Sequence, residues 1–231
     1  MNKVLFVVAH PDDAELAAGG TIKLLVENGT EVSVLHLTVS EKSHAARQWR
    51  IQAAERAACI LGYELLWYEN GRFDHVTDIK THELVAHLDR LVRSERFDAV
   101  FSHWQGDSHN DHVLAARASL ASSRSWDASL YAFPPNELKT TAFASFLPNV
   151  FVDVSPFMEH KLEAIRQYNY PGHHYKALQG HEFEQLNRFY GVQSHCEYAE
   201  SFLLVRQQGL WMSSPEAGNR GENSGPRAKG R

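Results

Sequence analysis

Two short stretches of the chain carry residues that could do chemistry. The first is Ala9-His10-Pro11-Asp12-Asp13-Ala14-Glu15, which closes on Gly19-Gly20. The second is His109-Asn110-Asp111-His112, at the end of a polar, histidine-rich loop that opens at His103. Asp12 and Asp13 are costly neighbours, because like charges repel and each carboxylate wants water. A bound cation is the simplest compensation. Zinc takes imidazole nitrogen and carboxylate oxygen, and a catalytic site keeps one position for water. His10, Asp13 and one histidine of the second stretch would supply two imidazoles and a carboxylate. Asp12 would then be free to act on the water as a base. The remaining histidine would stabilise an oxyanion or protonate a leaving group. Asp111, between the two histidines, would hold one imidazole in position. Residue types and spacing leave open which of His109 and His112 is the ligand.

Two other readings compete. Asp12 and Asp13 could simply cap a helix, since aspartate is a good N-cap and favours the positive helix end. A dinucleotide site fits poorly. Gly19-Gly20 lie inside or beyond the first helical turns rather than as Gly-x-Gly-x-x-Gly at a strand end, and two acids would repel a pyrophosphate.

The elements that must position these residues follow from the apolar pattern. Residues 4–8 are a continuous β-branched and apolar run, the signature of a strand buried on both faces of a parallel sheet. Residues 14–28 read as a helix stopped by Asn28-Gly29, and 32–37 as a second strand. A polar loop leads to an alanine-rich helix over 45–61 with Gly62 as its stop. Residues 65–67 form a short third strand, 78–94 a third helix and 99–102 a fourth strand. The polar loop 103–112 then precedes a helix over 113–120. Alternating strands and helices point to a Rossmann-like three-layer α/β sandwich with a mainly parallel central sheet. In the order 3-2-1-4-5, strands one and four are neighbours and their following loops open at the same edge. That adjacency joins the two distant stretches into one site. Further on, 130–133, 150–154 and 199–205 read as strands and 157–168 as a helix.

The chain has 231 residues, 43% hydrophobic and 22% charged, with a formal net charge of -5. This suits one good-sized core, here assigned to a single domain over residues 1–211, with 212–231 as a disordered tail. Nothing is basic enough to suggest nucleic acid. No apolar run is long enough for a membrane span, and the N-terminus lacks a secretory core segment. Cys59 and Cys196 make no disulfide framework, which fits a cytoplasmic protein, and Cys59 is expected to face helix packing. His173, His174 and Tyr175 are candidates for a pocket lining, and His103 and Trp104 for a wall of the site.

Ala9–Glu15 with Gly19-Gly20, followed about a hundred residues later by His109-Asn110-Asp111-His112, resembles the LmbE-like or PIG-L family of zinc-dependent de-N-acetylases. The likeness extends from residue 4 to about 206, with Asn110 where the family often has proline. It implies one zinc ion per chain, held by His10, Asp13 and His112. It implies Asp12 as the general base, His109 as the histidine that stabilises the tetrahedral intermediate or donates a proton, and Asp111 as the carboxylate that orients His109. Arg50 matches an arginine near the substrate. The implied activity is removal of an N-acetyl group from an amino sugar conjugate of the N-acetylglucosamine kind. The resemblance also admits a homo-oligomer. The alternatives are a hydratase or lyase of the same fold acting on a small unsaturated acid, and a non-catalytic metal or sugar binding module.

Overall fold

Val4 to Val8 are fully buried because the strand that carries them is covered on both faces. The structure, a computed structural model, describes residues 1–41, 43–135, 145–169 and 180–208. In chain order its elements are β1 (Lys3–Val8), α1 (Asp13–Glu27), β2 (Glu31–His36), α2 (His44–Leu61), β3 (Glu64–Trp67), α3 (Thr81–Glu95), β4 (Ala99–His103), α4 (Asn110–Ser122), β5 (Ser129–Phe133), β6 (Val150–Asp153), α5 (Met158–Arg166), α6 (His181–Ser194) and β7 (Ala199–Arg206). They build a seven-stranded sheet in the order β3-β2-β1-β4-β5-β7-β6. The first five strands are parallel, and β7 runs antiparallel to both β5 and β6. The expected order 3-2-1-4-5 is therefore present, with an antiparallel pair added at one edge.

Alternation along β1 divides the core in two. Val4, Phe6 and Val8 pack with the small faces of α1 and α2 and with α5. Leu5, Val7 and Ala9 pack against α3 and α4, through Leu84, Leu88, Val92, Ala115 and Ala118. Helices on both faces of a mainly parallel sheet make the three-layer sandwich. The register of β1 on β4 sets Val7 beside Ser102, so the residues after Val8 and after Ser102 leave the sheet side by side.

Helix α1 is interrupted at Ala18, whose backbone is non-helical (φ -145°, ψ 16°). A carboxylate from the far end of the chain takes N–H groups of the next turn. Glu200 on β7 accepts from Gly20 N–H at 3.0 Å and from Thr21 N–H at 2.7 Å. The buried Lys161 ammonium donates to the same carboxylate at 2.6 Å. The two glycines permit this approach. A Cβ on Gly20 would sit 2.6 Å from the Val154 Cβ, and one on Gly19 would sit 3.0 Å from the Lys161 Cγ. Gly19-Gly20 thus serve helix packing.

Several sequence expectations are corrected. Helix α4 begins at Asn110 rather than at 113, so Asp111 and His112 lie in its first turn. Helix α6 was not anticipated. Its buried positions are Phe183, Asn187 and Gly191, too polar and small to give an apolar stripe. Asn187 donates to Ala199 O at 2.8 Å, and a Cβ on Gly191 would meet Glu197 O at 2.5 Å. Cys59 is exposed on α2 rather than turned into helix packing. The His173-His174-Tyr175 stretch and the tail over 212–231 lie outside the described residues. Among the described residues, no helix is long and apolar enough to cross a membrane.

Two stability measurements follow from this fold. Replacing Lys161→Met leaves a buried Glu200 without its cation, and breaking such a pair costs about 3–5 kcal/mol. Urea unfolding of the variant should show a loss of that order; an unchanged midpoint would show that the pair contributes nothing. His36 lies fully buried at the end of β2, its ring 4.9 Å from that of Trp67, and burial pushes its imidazole down to about 4. The unfolded chain takes a proton there below about pH 6.5, and the folded chain does not until about pH 4. Stability is therefore lost as pH falls between those values, by about 3 kcal/mol in total for this one group. His36→Phe should flatten the unfolding free energy between pH 7 and 4.5. A pH dependence equal to that of the parent would count against the assignment.

Candidate active site

The loop after β1 turns sharply. Asp12 has φ 102°, a positive value that a side-chain-bearing residue rarely adopts. It occupies the N-cap position of α1, yet its side chain makes no cap hydrogen bond. Its carboxylate instead accepts from Arg50 Nη2 at 3.1 Å, and the same nitrogen donates to Pro11 O at 2.9 Å. Arg50 Nη1 reaches Glu41 Oε1 at 3.2 Å. The helix-cap reading of Asp12 is therefore not what the side chain does. Asp13, one residue on, points into the protein and accepts from His10 N–H at 2.8 Å.

The second stretch arrives from the neighbouring strand tip. His109 caps α4, its Nδ1 accepting from Asp111 N–H at 3.2 Å. Its proton then belongs on Nε2, which leaves that nitrogen as a donor. Asp107 binds the loop together. One oxygen accepts from His109 N–H at 3.0 Å, and the other lies 2.8 Å from His112 Nδ1.

These elements bring the predicted residues together. Asp13 lies between two imidazoles, with Oδ2 3.5 Å from His10 Nδ1 and Oδ1 3.4 Å from His112 Nε2. The outer nitrogen of each ring rests on a further carboxylate. His10 Nε2 is 3.0 Å from Asp111 Oδ2, and His112 Nδ1 is 2.8 Å from Asp107 Oδ2. The rings of His109 and His112 are 4.5 Å apart, and those of His10 and His109 are 5.0 Å apart. Among the described residues two overlapping groups have ligand atoms within 4.8 Å of one another, His10 with His109 and His112, and Asp13 with His103 and His112; the expected set of His10, Asp13 and His112 is neither group but spans the two.

The donor chemistry fits a divalent ion such as zinc. Imidazole nitrogens that face a shared carboxylate, with their outer N–H groups on carboxylates, are the arrangement that fixes metal-binding histidines. The electrostatics agree. Burial works against protonating His10, but Asp111 and Asp13 push it up to about 9. His112 rises to about 10 against burial, through Asp13 and Asp107. Burial also opposes the charge on Asp13, yet the surrounding imidazoles, His112 first, hold its carboxyl well below the usual range. The cluster thus favours positive charge between these groups. Asp12 behaves differently. Burial lifts it to about 6 although Arg50 pulls the other way.

One role read from the sequence is corrected. The Asp111 carboxylate meets His10, across the site, and not His109, which touches only its backbone N–H. Arg50 lies against Asp12 and Glu41. Asp107 and His75 carry no role in the sequence reading, and His103 takes a different one from that expected. Asp107 sits in a Gly-Asp turn that looks like any loop. His75 is 55% exposed, with Nδ1 3.6 Å from Asp111 Oδ2. His103 was read as a wall. It is buried, and its Nε2 accepts from Ala9 N–H at 3.0 Å.

The chain resembles known proteins over much of its length. A profile of the family described as GlcNAc-PI de-N-acetylase, PIG-L, matches residues 5–123. The chain is 27% identical over 232 residues to a diacetylchitobiose deacetylase of Thermococcus kodakarensis, across 89% of this chain and 84% of that protein. It is 28% identical over 192 residues to a 4-oxalmesaconate hydratase of Pseudomonas putida, across 71% of this chain and 72% of that one. The crystal structure of a 4-carboxy-2-hydroxymuconate hydratase from Pseudomonas putida superposes with a TM-score of 0.76 at 20% identity, covering 93% of this chain and all of that one, which speaks for the fold. The matched segment contains both strand tips and every residue of the cluster, and the chain belongs to the PIG-L, GlcNAc-PI de-N-acetylase family.

Proposed function

We propose that the chain is a metal-dependent hydrolase that removes the N-acetyl group from an amino sugar conjugate of the N-acetylglucosamine kind. The observation that carries this reading is the division of labour between two adjacent carboxylates. Asp13 faces the imidazoles of His10, His103 and His112, while Asp12 pairs with Arg50 and is lifted to about 6 by burial. The diacetylchitobiose deacetylase at 27% identity supports the substrate class.

In this reading His10, Asp13 and His112 would hold one zinc ion. Bound zinc supplies Lewis acidity, acidifying a water and polarising a carbonyl. Asp12 takes the proton as the water oxygen attacks the acetamide carbon. A base near 6 is mostly ionised at neutral pH and still gives the proton back readily. His109 offers its Nε2–H to the developing oxyanion. Asp12 then delivers its proton to the nitrogen as the C–N bond breaks, leaving acetate and a free amine. Arg50 holds Asp12 in register, and Asp111 and Asp107 orient the two ligand imidazoles. We assign this activity to a single domain over residues 1–211, in a cytoplasmic protein.

A second reading keeps the ion and changes the reaction. The 4-oxalmesaconate hydratase at 28% identity favours addition of water to an unsaturated acid. Acetate release from N-acetylated sugars separates the two, since a hydratase releases none.

Two variants test the assignments. Asp12→Asn should keep stoichiometric zinc and lose about 10²–10⁴-fold in turnover, the usual contribution of a general base. Parental turnover in that variant would remove Asp12 from the role. Asp107→Asn should weaken zinc affinity about 10–100-fold, as loss of a carboxylate behind a ligand histidine does. Competition against a chromogenic chelator measures it, and an affinity equal to the parent's would make Asp107 a loop residue only.

A further inference from the structure

His103 stands where the two motif-bearing strand tips meet. The ladder between β1 and β4 ends at Val7 and Ser102, so Ala9 lies beyond it. The Ala9 N–H is instead received by His103 Nε2, the side chain of the last residue of β4. The same ring stacks on His112, centroids 4.0 Å apart and planes 16° apart, and meets the Phe133 ring edge-on at 4.7 Å. Its Nε2 is 3.2 Å from Asp13 Oδ2. One imidazole is therefore bonded to the backbone just before His10 and packed on the face of His112, while its Nε2 adjoins the Asp13 carboxylate without a proton to give it.

Proximity alone would also allow His103 to be a ligand, since it groups with Asp13 and His112. The hydrogen bond decides against that. An imidazole nitrogen has one in-plane lone pair, and the Ala9 N–H occupies that of Nε2. The other nitrogen carries the proton of the neutral ring.

We propose that His103 is a positioning residue: its Nε2 fixes the Ala9 peptide and its ring face carries His112, so that the two strand tips present their ligands in one geometry. The inference rests on the reading of His10, Asp13 and His112 as the ligands of the ion. His103 itself never binds it. Its contribution is to the affinity of the others.

Zinc alone is the probe, with the full chain. In long-range ¹H–¹⁵N spectra of the wild type, His103 should show a protonated Nδ1 and a bare Nε2, unchanged when zinc is added. His10 Nδ1 and His112 Nε2 should move. His103→Phe keeps a ring against His112 and removes the acceptor; it should lose about 10–100-fold in zinc affinity. His103→Gln restores an acceptor and should bind zinc more tightly than the Phe variant. A residue that only stabilises the fold would lower the thermal midpoint and leave zinc affinity of the folded protein unchanged. A zinc-induced shift at His103 Nε2, or parental affinity in both variants, overturns the proposal. Should the Phe variant not fold, the wild-type spectrum alone decides between strut and ligand. A wild type that takes up no zinc overturns the metal assignment and the proposal with it, a failure seen before any variant is made.

Discussion

A buried carboxylate needs a compensating charge, and the carboxylate of Asp13 is the one on which this molecule turns. It is almost wholly enclosed, with His112 Nε2 against one oxygen and His10 Nδ1 and His103 Nε2 against the other. Asp107 and Asp111 add two more carboxylates behind those imidazoles, and Asp12 adds a fourth beside them. Arg50 is the one guanidinium paired with this group among the described contacts, and it answers Asp12. Desolvating so much negative charge is tolerable only if positive charge lies among the carboxylates. Protons on His10 and His112 can supply it, as can a divalent ion held by the same atoms. The cluster is thus an electrostatic demand before it is a catalyst.

Meeting that demand requires two strand tips to stay level, and the far half of the chain contributes to this. Strand β7 returns antiparallel to β5 and delivers Glu200 to the break in α1. Lys161, from α5, neutralises it, its stem lying so close to Gly19 that a Cβ there would sit 3.0 Å from the Lys161 Cγ. Helix α1 begins at Asp13, so a carboxylate near the end of the domain braces the helix that carries a proposed ligand.

The parts of this arrangement that sequence could reveal are those set by local pattern. The apolar run 4–8 announces a doubly covered parallel strand, and the alternation of elements announces the sheet order, which in turn makes the two histidine-bearing loops adjacent. Contacts decided by which edge of a ring faces which neighbour were beyond it. Asp111 lies between His109 and His112 in the chain, yet its carboxylate crosses to His10 because the first turn of α4 points it there. Asp107 lies in a loop rich in polar groups and His103 at the strand end that opens it, where nothing in residue type separates a support from a surface group. Helix α6 was missed for a related reason: a buried asparagine and glycine fill the positions where an apolar stripe would have marked it.

The adjacent aspartates pose one last question, how neighbours in sequence come to do different work. The answer lies in the backbone of Asp12. A regular N-cap has extended backbone angles and turns its side chain back onto the first helical N–H groups. At φ 102° that geometry is lost, and the carboxylate swings to Arg50 while Asp13 remains in the helix and faces inward. Such a conformation costs about 1–3 kcal/mol and persists only where surroundings hold it. Here Arg50 grips the turn twice, at Pro11 O and at the Asp12 carboxylate. The strained residue is what keeps the two carboxylates from competing for one partner, which is why Arg50, whatever it offers a substrate, is first of all the clamp on that turn.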